Sequence, residues 1–189
     1  MKTAIILHGM PTKEEYMMLR TPSQSNRHWF PWLQKQLILK GILTQVPEFP
    51  TPYEPKYKKW CTMFERFDIN KDTMLVGHSL GGGFLVRWLS EHKTKVGKVV
   101  LVAPWLDPRH IIKSDFFNFK IDPNLAKKTK KLSIFVSVDD FKEVRDSVDV
   151  LRNALKSGVK FREFSNKGHF TKGDMKTDRF PELRDELLK

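Results

Sequence analysis

The stretch from Thr73 to Trp88, TMLVGHSLGGGFLVRW, constrains this chain more than any other. Met74, Leu75 and Val76 form a short apolar run of the kind a parallel strand covered on both faces requires. Gly77, Ser79 and Gly81 follow in the pattern G-x-S-x-G, and Phe84, Leu85, Trp88 and Leu89 then recur at helical spacing. A strand, a sharp turn and a helix in immediate succession make the setting of a nucleophile elbow, in which the turn lifts the serine hydroxyl out of the sheet. Side chains two residues either side of the serine would collide with neighbouring backbone, which accounts for the glycines. Ser79 would also stand at a helix N-terminus, where free N–H groups and the helix dipole favour an oxyanion.

Around this unit strand and helix alternate. Thr3 to Leu7 reads as an apolar strand ending in His8-Gly9. A polar loop then leads to a helix carrying Trp29, Phe30, Trp32, Leu33, Leu37 and Ile38, with Asn26 as its expected N-cap and Gly41 as its stop. Ile42 to Val46 is a second strand, and the proline-bearing run from Pro47 to Pro55 precedes a short helix with Trp60, Met63 and Phe64. The elbow supplies the third strand. Val99 to Ala103, Leu132 to Val136 and Val159 to Phe164 are strands four to six, with helices over Val144 to Leu155 and Pro181 to Leu188. This alternation calls for right-handed crossovers and a mostly parallel six-stranded sheet with helices on both faces. With 189 residues and 40% hydrophobic content, residues 1–189 are expected to form one domain of the α/β class.

The bounds on function are broad. The N-terminal MKTAIILHGM is too short for a signal sequence, and no segment approaches the length of a transmembrane helix. A single cysteine, Cys61, excludes an internal disulfide and fits a cytoplasmic protein with no membrane insertion. The formal net charge of +12 is spread over most helices, and its densest cluster, Lys127, Lys128, Lys130 and Lys131, reads as a solvated connection. No recognition helix, aromatic-basic strand or basic tail accompanies the charge, so specific nucleic-acid binding is not expected. There is no C-x-x-C, no H-E-x-x-H and no phosphate-binding glycine loop, so neither metal nor cofactor is expected.

A nucleophilic serine needs a base, and the base needs an orienting acid. In a doubly wound sheet both must lie at the carboxyl ends of strands, on the edge where the elbow sits. Ser137-Val138-Asp139-Asp140 follows the fifth strand and Asn166-Lys167-Gly168-His169-Phe170 the sixth. The chain order Ser, Asp, His is the one α/β hydrolases use. Ser79 is therefore the expected nucleophile and His169 the base, with Asp139 or Asp140 as the acid. The oxyanion donors should be the N–H of Leu80 and an N–H after the first strand; Met10 is the choice there, because Pro11 has no N–H. His8 is expected to be structural.

Together, the H-G after strand one, the H-W-F-P-W-L segment from His28 to Leu33, the G-H-S-L-G-G elbow, the S-x-D-D after strand five and the late G-H-F resemble small serine hydrolases. The relatives in view are those typified by retinoblastoma-binding protein 9 and bacterial YdeN. The resemblance covers nearly the whole chain, and His28 to Leu33 is its most specific part. It implies a compact α/β-hydrolase core without a large cap domain, no cofactor, and a small-molecule ester or amide as substrate. Aligning Ser137 with the small residue that stands three places before the family's acid puts Asp140, rather than Asp139, in register. The family's D-P-x-V after the acid is replaced here by Asp140-Phe141-Lys142-Glu143-Val144, which leaves Asp139 in play.

The reading that follows is a carboxylesterase-like serine hydrolase working through Ser79, His169 and Asp140 and an acyl-enzyme. The alternative from another class is an interaction protein on a hydrolase scaffold, binding a protein or anionic partner through its basic surface. The excursion after strand four carries Trp105, Phe116 and Phe117 as pocket candidates. These would wall the acyl site and favour short acyl groups, unless the rings simply pack on the sheet. Oligomeric state is not legible.

Overall fold

The computed structural model describes residues 2–189. Six parallel strands run in the order β2-β1-β3-β4-β5-β6: β1 is Thr3–Leu7, β2 Leu43–Gln45, β3 Thr73–His78, β4 Val96–Val102, β5 Thr129–Ser137 and β6 Val159–Phe164. The helices among the described residues are α1 (Lys13–Met17), α2 (Phe30–Ile38), α3 (Tyr57–Phe64), α4 (Leu80–Glu91), α5 (Lys142–Ala154), α6 (Lys172–Met175) and α7 (Pro181–Leu188). None is long and apolar enough to cross a membrane. One-turn 3-10 helices form at Gln24–Asn26, Asp115–Phe117 and Leu125–Lys128.

The order of strands carries the architecture. From β1 the chain steps outward to β2, then returns past β1 to β3 and continues in that direction to β6. Right-handed crossovers in opposite directions put their helices on opposite faces, so α2 covers one face and α3, α4 and α5 the other. The closing helix α7 contacts both β4 and α2, and so joins the α2 face. The direction changes between β1 and β3. A sheet of this kind opens a crevice at the carboxyl ends of the strands flanking such a reversal, which here means His8-Gly9 and Ser79.

Each face is filled by aromatic rings. Under α3 and α4, Phe84 packs against Phe49, Tyr57, Trp60 and Phe64 with ring centroids 5.4–6.0 Å apart. On the other face Phe180 meets Trp29, Phe135, Phe164 and Phe170. Burying rings of this size supplies the largest apolar areas a core can have, which is how a short chain holds six strands.

Two expectations fail in the details. Asn26 does not cap α2: it closes a 3-10 turn, its side chain donates to Ser23 Oγ at 2.9 Å, and Trp29 is the N-cap. Between them His28 adopts a left-handed backbone, φ 55°, which breaks the chain direction before the helix begins at Phe30, with Pro31 in its first turn. The lysine cluster, expected in a connection, runs from the 3-10 turn into the start of β5 and is not merely solvated. Lys128 Nζ donates to the carbonyls of Leu89 and His92 and pairs with Asp122, Lys130 pairs with Asp72, and Lys131 pairs with buried Glu186. These lysines tie loop ends and helix termini together.

Candidate active site

Ser79 sits at the tip of β3 with φ 52° and ψ −118°, a conformation that side chains rarely adopt. The glycines around it are required sterically. A methyl group at Gly77 would come within 2.6 Å of the carbonyl oxygen of Gly81, and one at Gly81 within 2.6 Å of the carbonyl oxygen of His8. The turn can therefore close only because both positions lack a side chain. Backbone bonds fix it from the next strand: Ser79 N–H donates to Val102 O at 3.0 Å and Trp105 N–H to Ser79 O at 3.1 Å.

The loop after β1 lies directly against the serine. A methyl group at Gly9 would stand 3.1 Å from Ser79 Cβ, so Gly9 packs closely against the elbow. His8 holds this loop in place. Its Nδ1–H donates to Gly9 O at 2.8 Å and its Nε2 accepts from Phe49 N–H at 2.9 Å, which uses both nitrogens of a neutral ring. Burial pushes its pKa down, which keeps the ring neutral.

His169 lies in the loop after β6, and its Nδ1–H donates to Asp140 Oδ1 at 2.9 Å. Asp140 is buried and its Oδ1 also accepts from Phe141 N–H at 2.7 Å. The neighbouring aspartate does something else. Asp139 is exposed, and its Oδ1 accepts from Ser137 Oγ and from Gly168 N–H at 3.1 Å. The Ser137 hydrogen bond lowers the Asp139 pKa, with the Gly168 N–H adding to the effect. The structure thus brings Asp140, not Asp139, to the imidazole.

Several further bonds fix the histidine loop, and the sequence alone did not point to them. Ser137 Oγ accepts from Lys167 N–H at 3.0 Å, and Asp174 Oδ2 from His169 N–H at 3.1 Å. Trp29 Nε1–H donates to Phe170 O at 3.0 Å, and His78 Nε2–H to His169 O at 2.8 Å. Trp29 stands in the H-W-F-P-W-L segment and His78 is the x before the nucleophile. Their partners are backbone carbonyls far along the chain, and nothing in a sequence marks a carbonyl.

Ser79, His169 and Met10 line two adjoining cavities. One of about 710 Å³ has a mixed lining, with Arg27, His28, Gln24 and Lys172 beside Phe30, Pro31 and Trp32. The other, of about 220 Å³, is apolar and bounded by Trp105, Ile111, Phe141 and Val144. Leu80 is buried immediately behind Ser79 at the start of α4, where its N–H belongs to the unpaired first turn. No hydrogen bond links Ser79 Oγ to His169 Nε2 among the described residues; such bonds are often long before a substrate is bound.

Of the pocket candidates only Trp105 meets this cavity. Phe116 is fully buried, packed edge-on against Trp60 and Tyr57 with centroids 5.2 and 6.1 Å away. Phe117 is half-buried against α4, where a methyl group at Gly83 would come within 2.6 Å of its ring. The excursion turns inward because Arg87 captures it. The guanidinium donates to the carbonyls of Asp115 and Phe116 while stacking 3.5 Å over the Tyr57 ring. Phe116 therefore belongs to the core, and Phe117 packs against it.

This combination of fold and site has relatives. A family model described as serine hydrolase matches residues 21–188. The chain belongs to the serine hydrolase family. It is 26% identical over 167 residues to YdeN of Bacillus subtilis (strain 168), named as a hydrolase, covering 80% of this chain and 87% of that one. The crystal structure of the B. subtilis ydeN gene product superimposes with a TM-score of 0.78 at 24% identity, over 100% of this chain and 97% of that chain. Est1E of Butyrivibrio proteoclasticus, solved with ferulic acid, has the same fold, with a TM-score of 0.66 at 13% identity over 99% and 86% of the two chains. The chain shares the α/β-hydrolase fold of these structures and, as a member of the family, is a hydrolase.

Proposed function

We propose that this serine hydrolase cleaves carboxylic esters through Ser79, His169 and Asp140. The observation that carries the reading is the 2.9 Å pairing of buried Asp140 with His169, in a loop that shares its cavities with the strained Ser79. With Nδ1–H committed to Asp140, the free lone pair of the neutral ring is on Nε2, the nitrogen a general base must present.

In the first half-reaction Ser79 Oγ attacks the acyl carbon while its proton passes to His169 Nε2. The carbonyl oxygen becomes an oxyanion facing the N–H groups of Met10 and Leu80. Collapse breaks the bond to the leaving oxygen, which takes the proton from His169 and departs as an alcohol. Water then attacks the acyl-enzyme and gives its proton to His169, and Ser79 is released with that proton as the acid leaves. Asp140 stays ionised throughout and stabilises the imidazolium. An amide would follow the same steps with an amine leaving.

A fluorophosphonate probe tests the assignment. The expected adduct is on Ser79 alone, absent in Ser79→Ala at unchanged thermal stability. An adduct elsewhere, or none on folded protein, overturns it.

A further inference from the structure

The two cavities that meet at Ser79 differ in size and in chemistry, so a scissile bond over the serine would have one substituent in each. The smaller, about 220 Å³, is walled by apolar side chains. The larger, about 710 Å³, runs between the Gln24–Trp32 segment and the Thr171–Gly173 turn. We propose that the larger arm is the leaving-group site and takes an uncharged, hydroxyl-rich alcohol that accepts a hydrogen bond from His28. This rests on the ester-hydrolase reading of Ser79 and adds a substrate class to it.

The order of events decides which arm holds which group. The alcohol leaves first, and water must then reach the acyl carbon through the space it vacates. A wide arm with hydrogen-bonding groups on its wall suits both steps. The acyl group stays bound through the whole cycle and gains from apolar walls. Size agrees: 710 Å³ lies within the roughly 300–1,000 Å³ of pockets that hold sizeable ligands, and 220 Å³ lies below it.

His28 gives the larger arm a defined donor. Its Nδ1 accepts from Lys172 N–H at 3.2 Å, so the proton of the neutral ring is on Nε2. That Nε2–H has no acceptor among the described residues, and the ring lines the cavity beside His169 and Ser79. Burial pushes the His28 pKa down to about 4, and the Arg27 charge pushes the same way, so the ring remains a neutral donor near pH 7. Gln24 and Asn26 add amide groups to the same wall, and Trp32 an aromatic one.

Charge selects against an anionic leaving group. The two cations lining the arm each stand near a carboxylate that also lines it. Arg27 pairs with Glu15, and the Lys172 ammonium is 3.6 Å from Asp178. No uncompensated positive charge is left to offset the cost of desolvating a carboxylate or phosphate.

The test compares butyrate esters that differ only in the alcohol: 1-glyceryl butyrate, n-butyl butyrate and phosphoglyceryl butyrate. The expected kcat/KM for the glyceryl ester exceeds that for the butyl ester by about tenfold, the value of one good hydrogen bond, and the phosphorylated ester gains nothing over butyl. His28→Gly removes the donor at a position where glycine tolerates the left-handed backbone, and should bring the glyceryl-to-butyl ratio close to one. His28→Gln, which keeps a side-chain N–H, should restore part of it. Equal rates on glyceryl and butyl esters in the unmodified enzyme, a preference for the phosphorylated ester, or an unchanged ratio in His28→Gly would each overturn the proposal. A protein that labels at Ser79 and turns over all three esters alike refutes only the leaving-group site, whereas absence of labelling refutes the reading beneath it.

Discussion

His78 holds the backbone of His169, its Nε2–H donating to the carbonyl oxygen at 2.8 Å. The residue before the proposed nucleophile thus grips the loop of the proposed base, and the two rings lie 4.9 Å apart. Burial, with His169 and His28 nearby, lowers the His78 pKa well below the usual range, so the ring is neutral and its single proton is committed to this bond.

The first prediction concerns that bond. His78→Phe leaves the His169 carbonyl without its donor and frees the loop to shift. A displacement of about 1 Å at a reacting group can cost about 10²-fold, so kcat should fall by up to that factor with KM little changed. His78→Gln, which offers an amide N–H, should recover part of the loss. Steady-state kinetics on a short p-nitrophenyl ester checks this, and a His78→Phe enzyme within twofold of the parent kcat would overturn it.

The second separates the two aspartates. Asp140→Asn removes the charge that orients and stabilises the His169 ring and should lower kcat by about 10⁴-fold. Asp139→Asn keeps the carbonyl oxygen that accepts from Ser137 and Gly168, so it should cost far less. The reverse ranking would move the role to Asp139.

Most of the sheet and the central residues were legible because their signals are local. β6 and α7 have the limits their sequence periodicity implies, and the elbow glycines mark a backbone crossing that allows nothing larger. The choice between adjacent aspartates was not local. Both aspartates lie in the turn after β5, where Asp140 is buried and Asp139 exposed; the family register of Ser137 favours Asp140, but only the folded turn shows which carboxylate meets the histidine. The fate of Phe116 was hidden for a different reason. An aromatic residue on an irregular excursion can face cavity or core with equal sequence support, and here Arg87, on another element, decided it by binding Asp115 and Phe116 carbonyls.

With Phe116 in the core, the third prediction concerns the small apolar arm alone. A small apolar arm should favour p-nitrophenyl acetate and butyrate over octanoate in kcat/KM, because each added methylene contributes about 0.8 kcal/mol only while it finds apolar wall. The residues that set the limit are Trp105, Ile111 and Phe141. Trp105→Ala or Phe141→Ala should move the optimum to longer chains. Phe116→Ala should leave the optimum in place and instead lower stability by about 3–5 kcal/mol, as loss of a buried ring does. An optimum at octanoate in the parent, or a Phe116→Ala enzyme with an altered optimum and intact stability, would sink this account.

The last prediction is a two-stage loss of stability in acid. His8, His28 and His78 are held neutral in the fold, with pKa values below that of a free imidazole. Between the unfolded value of about 6.5 and the folded value of about 4 for His28, the unfolded chain binds the proton and the native one does not, so stability falls as pH drops across that window. His28 alone accounts for about 3 kcal/mol at most. Glu186 sets the second stage. Burial raises its pKa, but hydrogen bonds from Lys131, Lys160 and Ser133 outweigh that and bring it from 4.5 to about 2. Its contribution is therefore present above pH 4.5 and is lost as pH falls towards 2. Denaturant unfolding between pH 7.5 and 2.5 should show stability falling first through the histidine window and then through the glutamate window. His28→Gln should flatten the upper part and Glu186→Gln the lower, the latter with lower stability at neutral pH, because Lys131 and Lys160 lose their partner. Stability that stays level from pH 7 to 4.5 would mean that these rings take up protons without opposing the fold.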